Sequence, residues 1–163
     1  MSNTLVDQIV INLAVLSNIQ ESGRLSTSRG WSISIEREGY FQSLWRTLTG
    51  DSRRSTVHRI RQIVQSAIEY CNDKISYIKD VLSKTQDEIN HYERDRFDTY
   101  CLHIKTIREK TIKAVEGVSR LKMTYKDDAT TLAELDVIID QMNNHIKRME
   151  TYASEFSKLD FGK

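Results

Sequence analysis

The sequence predicts a mainly α-helical protein: an elongated bundle of long, coiled-coil-like helices with a small β-hairpin near the N-terminus. Three observations carry this. The 163 residues contain no proline, and four of the six glycines (Gly23, Gly30, Gly39 and Gly50) fall within one short stretch. Beyond residue 56, apolar side chains recur at steps of three and four, the spacing that puts them on one helical face. The strongest helix breakers are therefore absent or confined to residues 23–50. The chain divides into residues 1–50, holding a helix, the hairpin and a short second helix, and residues 51–163, a long-helix body, together one structural unit.

Residues 4–20 place Leu5, Ile9, Leu13, Leu16 and Ile19 near helical spacing. Asn3 or Thr4 can cap this segment, and Ser22-Gly23 can end it. Leu25 to Thr27 and the alternating Trp31, Ile33 and Ile35 flank Ser28-Arg29-Gly30, the pattern of a hairpin that must lean on helices to persist. Tyr40, Phe41, Leu44, Trp45 and Leu48 then form a broad apolar helical face that Gly50 closes.

From a cap at Asp51 or Ser52 to Tyr125, Gly117 is the only glycine. Val57, Ile60, Val64, Ala67 and Cys71 step by three and four, and after one extra step of four the series resumes at Ile75, Ile78, Leu82, Thr85, Ile89 and Tyr92. A stutter of this kind does not oblige a helix to break. The phase slips around Glu93 to Arg96. Then Phe97, Tyr100, Ile104, Ile107, Thr111, Ala114, Val118, Leu121 and Tyr125 alternate strictly, a seam suited to another helix. A straight helix over residues 52–125 would be roughly 110 Å long. A bend at Asn72-Asp73 or at Glu93 to Arg96 would instead fold it into a bundle, and the phase slip favours the second site. Thr131 and Glu134 form a T-x-x-E capping box for a last helix with Leu135, Ile138, Met142, Ile146, Met149, Tyr152 and Phe156 on one face. Its short connection predicts an antiparallel return.

Lys and Arg total 24 against 23 Asp and Glu, so the whole molecule exerts no pull toward nucleic acid or an anionic surface. The longest apolar stretch, Ile9 to Leu16, falls far short of a membrane span, and the start lacks the basic region of a secretory leader, so a cytoplasmic location is expected. Cys71 and Cys101 lack metal-pair spacing and read as buried free thiols, or as a bridge if their helices run antiparallel and close.

One charge cluster stands out. Arg46, Arg53, Arg54, Arg59 and Arg61 against Asp51 give residues 46–61 a net charge of five minus one, or +4. Arg53 and Arg54 fall in the first turn of a helix, where free N–H groups also favour anions, so Arg53, Arg54, Arg59 and Arg61 could hold a phosphate, nucleic acid or an acidic partner. Solvated or internally paired arginines give the same pattern. Glu88 and His91 make an E-x-x-H pair, but a di-iron bundle needs a second copy, and the sequence has none. No H-E-x-x-H, C-x-x-C, G-x-S-x-G, P-loop or G-x-G-x-x-G is present, so neither a metal, a cofactor nor catalysis is expected. The tyrosines and Met142 and Met149 read as core packing.

Phe41-Gln-Ser-Leu-Trp-Arg46, Thr49-Gly-Asp-Ser-Arg-Arg-Ser-Thr56, Leu121 through Thr131 and Leu135-Asp-Val-Ile-Ile-Asp140 resemble segments of small helical proteins of large nucleocytoplasmic DNA viruses. The resemblance implies a viral protein made in the host cytoplasm, plausible as a minor capsid or virion-assembly component, and carries no catalytic motif. The expectation is a non-enzymatic structural or adaptor protein acting through helix–helix contacts with itself or other virion proteins. Its packing seam would be Phe97, Tyr100, Ile104, Ile107, Ala114, Val118, Leu121 and Tyr125. The alternative is a nucleic-acid or phosphate-binding accessory factor using residues 46–61.

Overall fold

The computed structural model describes residues 4–19 and 53–157. The expected hairpin and the short helix ending at Gly50 lie outside these residues. Within them the chain is mainly helical: α1 (Thr4–Ser17), α2 (Arg53–Leu82), α3 (His91–Leu121) and α4 (Ala129–Ser157), with one 3-10 turn at Gln86–Glu88. No strand occurs among the described residues.

The helices form a bundle in which α3 touches all three others, α2 also touches α1 and α4, and α1 and α4 do not meet. Side-chain pairs fix the directions. Lys122–Asp136 and Arg108–Glu150 run in opposite order along α3 and α4, so these helices are antiparallel, as the short connection requires. Tyr70–His103 and Lys84–Glu93 make α2 and α3 antiparallel. Arg61–Glu134 and Lys79–Tyr152 run in the same order, so α2 and α4 are parallel.

Helix α2 is continuous through Cys71 and Ile75, both buried, and through Asn72-Asp73, so the stutter leaves the helix unbroken and that bend site is overturned. The break falls at residues 83–90, ahead of the expected Glu93–Arg96 site. Asn90 decides it: its backbone is extended, its carboxamide oxygen accepts from Glu93 N–H at 2.8 Å, and its own N–H₂ donates to Glu93 Oε1 at 2.9 Å. This reciprocal cap starts α3 and leaves the phase slip as a new helix's first turn. Lys84 closes the corner onto Glu93 Oε2 at 2.7 Å. The rod is thereby excluded, and Thr85 and Tyr92, expected on the seam, are exposed.

Three further expectations are corrected. Leu5 is exposed, while Val6 and Val15 join Ile9, Leu13 and Leu16 in the core. Asp128, not Thr131, caps α4: its carboxylate accepts from Thr131 N–H at 3.2 Å and from Thr131 Oγ1 at 2.8 Å, so the helix starts at Ala129. On α4 the core sequence runs Leu135, Ile138, Met142, His145 and Met149, and Ile146 is only half-buried. The strict alternation of three and four points to position 145; a polar residue there hides it from a reading based on hydrophobicity.

The tightest contact joins α1 to α3. A Cβ on Gly117 would lie 1.7 Å from the carbonyl oxygen of Leu16 and 2.7 Å from its carbon. Only glycine admits the backbone there. One turn on, Arg120 donates from Nε to the Ile19 carbonyl at 2.6 Å and from Nη2 to the Ser17 carbonyl at 2.7 Å. The Ser17 carbonyl ends α1 and Ile19 follows it, so the guanidinium faces the negative end of the helix dipole.

Gly117→Ala is expected to destabilise the protein by roughly 3 kcal/mol, because the obstructing atoms are backbone and cannot rotate away. The same change at an open helical position would stabilise by about 1 kcal/mol. Arg120→Ala should cost about 2 kcal/mol. Urea unfolding monitored by circular dichroism measures both, and a stabilised Gly117→Ala protein would contradict the packing described.

Candidate functional site

Of the four candidate anion-binding arginines, Arg53 and Arg54 open α2 as expected. Arg59 is exposed. Arg61 reaches Glu134 of α4 at 3.8 Å, with both side chains about half exposed. A pair of this kind contributes at most about 1 kcal/mol, but it turns Arg61 toward the bundle.

The seam residues Phe97, Ile104, Ile107, Ala114, Val118 and Leu121 are buried, Tyr125 lies at the edge of burial and Tyr100 is half-buried. What covers them is the chain itself. The Phe97 ring meets Phe156 of α4 edge-on, with centroids 6.1 Å apart, and Gly117 seats α1 beside Val118 and Leu121. The mate that the pattern demands is supplied intramolecularly.

A concave feature lies elsewhere, where the N-terminal end of α1 meets α2 and the first turns of α3. It is a cleft of about 480 Å³, within the range of small-ligand and side-chain pockets. Lys74 forms its floor. The ammonium sits 4.5 Å from the ring centre of Tyr100 and 5.1 Å from that of Tyr70, and 3.2 Å from the Asp73 carboxylate. Tyr100 in turn meets Tyr77 edge-on at 5.1 Å. At the mouth the Arg96 guanidinium lies 4.2 Å from the centre of the exposed Tyr92 ring and donates to its hydroxyl. Leu5 and Tyr92, two of the six large apolar side chains left in solvent among the described residues, both line this cleft.

Tyr70 and His103 join its walls, with the Tyr70 hydroxyl 2.8 Å from His103 Nδ1. Burial, assisted by Tyr100, Cys71 and Asp73, pushes the Tyr70 hydroxyl up to about 12, so it keeps its proton. His103 is pushed the other way, first by burial and then by the Lys74 charge, with Asp7 opposing, which favours the neutral ring.

The sequence reading gives Lys74, Arg96 and His103 no binding role and places Tyr92 on the packing seam. The available signal was two cation–aromatic pairs at the four-residue spacing that meets on a helix, Tyr70 with Lys74 and Tyr92 with Arg96. That spacing is common enough on surface helices to need the fold to bring both pairs to one place.

Among the described residues no group of three or more His, Cys, Asp or Glu side chains could hold a metal ion, and no helix is long and apolar enough to cross a membrane. Comparison with models of protein families, with curated proteins and with solved structures finds no match for this chain.

Both cysteines are free, Cys71 buried and Cys101 half-buried. Burial pushes Cys71 up to about 12; burial and then the Asp98 charge push Cys101 up to about 11. Neither forms a thiolate near neutral pH. In native protein at pH 8, an aromatic disulfide reagent should modify both thiols at least tenfold more slowly than in urea-unfolded protein, with Cys71 the slower. Rapid native labelling of Cys71 would place it outside the core.

Proposed function

We propose that this chain is a non-enzymatic adaptor: an elongated, coiled-coil-like helical bundle that engages an acidic segment of a partner protein at the cleft between α1, α2 and α3. The observation that carries this reading is Arg96 laid on Tyr92 at the cleft mouth. Among the described residues Arg96 has Tyr92 as its partner and no carboxylate. Exposed Tyr and Arg at a concave site are the residue types that dominate protein–protein binding energy, since each presents a large rigid surface that loses little freedom on contact. A guanidinium held flat on a ring is also oriented to take a carboxylate on its free edge.

The original expectation of partnering through the heptad seam moves to this site for a physical reason. A dimer built on the seam would have to expel α4 and α1 from it, exposing Phe156 and Leu16. Helices of 30, 31 and 29 residues, each about 45 Å long, support an extended body. The resemblance to small helical proteins of large DNA viruses supports a role in virion assembly in the host cytoplasm, with another virion protein as the partner.

The reading as a nucleic-acid or phosphate-binding factor at residues 46–61 is disfavoured by the turn of Arg61 toward Glu134, which draws one of its arginines toward an internal partner.

A photo-reactive phenylalanine analogue in place of Tyr92 tests the proposal in the cells that make the protein. The expected result is a cross-link to one partner, mapped by mass spectrometry to a segment rich in Asp or Glu, and at least a tenfold loss of that product with Arg96→Glu. A product undiminished by Arg96→Glu, or mapped to a basic or purely apolar segment, would defeat it.

A further inference from the structure

Three positions on α2 face three on α4 at matching intervals. Arg61 reaches Glu134, and Lys79 stands 4.9 Å from the centre of the Tyr152 ring. Asn72 comes eleven residues after Arg61 and seven before Lys79, and His145 stands at the same intervals from Glu134 and Tyr152. Since α2 and α4 are parallel, Asn72 and His145 share one level of the interface. Both carry buried polar atoms without a hydrogen-bond partner: Oδ1 of Asn72, and both ring nitrogens of His145. Such atoms are rare in folded proteins, and two on facing helices at one level point to a common role.

His145 itself is 4% exposed and lies between Met142 and Met149, both fully buried. The charged groups around it are unfavourable to a second cation. On its own helix the nearest influence is Arg148. On α3, Arg108 has its Nε buried and unpartnered, and it pairs with Glu150 at 3.9 Å. From α2 come Asn72, which is neutral, and the Cys71 thiol, which keeps its proton. Helix α1 does not touch α4.

We propose that this level of the bundle is an acid-released clasp: a neutral His145 lets α4 stay seated on α2, and a proton on His145, met by no free carboxylate among the described residues, unseats α4. The opened state would expose Met142, Met149 and the α3 seam beneath them to a partner.

The direction in pH follows from burial. Desolvation, followed by the Arg148 charge, lowers His145 from its ordinary value of 6.5 to about 4. Between those values the opened form binds a proton that the closed form refuses, so the closed bundle loses stability as the pH falls through 6.5, and the loss is complete below about 4. From pH 7.5 to pH 5 the opening equilibrium shifts about thirty-fold.

Hydrogen exchange read by mass spectrometry, corrected for the intrinsic pH dependence of exchange, tests this at pH 7.5 and 5. In the wild-type chain, peptides covering residues 138–152 should gain about thirty-fold in opening at pH 5, well ahead of peptides from α1. His145→Leu, or His145→Gln if the leucine variant does not fold, should show no such gain. Asn72→Asp supplies the missing carboxylate and should hold α4 closed at pH 5. Acid opening that persists in the His145 variants, a gain spread equally over all four helices, or an unaltered gain in Asn72→Asp would each overturn the proposal.

Discussion

The arrangement depends on one close approach, that of the end of α1 to α3 at Gly117. An isolated helix of 14 residues is marginal in water, because few residues share the cost of its first turn. Here α1 persists because its apolar side chains are buried and its last carbonyls are bonded by Arg120. Both depend on backbone meeting backbone where Gly117 has no side chain. With α1 seated, α3 is enclosed on three sides, and the remaining helices have a fixed surface to pack against.

Enclosure changes what the heptad pattern means. A strict alternation from Phe97 to Tyr125 records that α3 needs mates; it does not record whose they are. In this chain they come from α1, α2 and α4, which leaves single apolar residues such as Leu102 and Val137 on outer faces, an ordinary condition of protein surfaces. What departs from the ordinary is a concave site where Leu5 and Tyr92 are exposed together beside two stacked cations. On the proposed reading, recognition belongs to the edges of the bundle, and stability to its seam.

The sequence made the helical class, the core of α2, the seam of α3 and the antiparallel return of α4 legible, because periodicity reports burial directly. It misplaced the corner between α2 and α3. Ile89 continues the apolar steps across it, and the signal that outweighs periodicity is the hydrogen-bonding capacity of Asn90 and Glu93, which only their backbone geometry reveals. On α4 the apolar Ile146 hides the core position, because the alternation of three and four places the polar His145 there instead. The cleft was least legible of all. Tyr70 and Lys74 lie on α2, Tyr92 and Arg96 on α3, and Leu5 on α1, so no single segment carries the pattern.

The same contrast separates the stable parts of the molecule from those with another task. At its corners the polar groups are satisfied but for the Nε of Arg94: Asn90 and Glu93 cap each other, Asp128 holds Thr131, and Arg120 holds carbonyls at the end of α1. Across α2 and α4, Asn72 and His145 break that rule in the interior, where an unpaired polar atom costs about 1–3 kcal/mol. A leucine at position 145 would continue the run from Leu135 to Met149 without that cost. Sequences that agree with their fold at every other level concentrate such departures where a second state or a ligand matters. The orphaned imidazole is therefore better read as part of what α4 does than as a defect in how it packs.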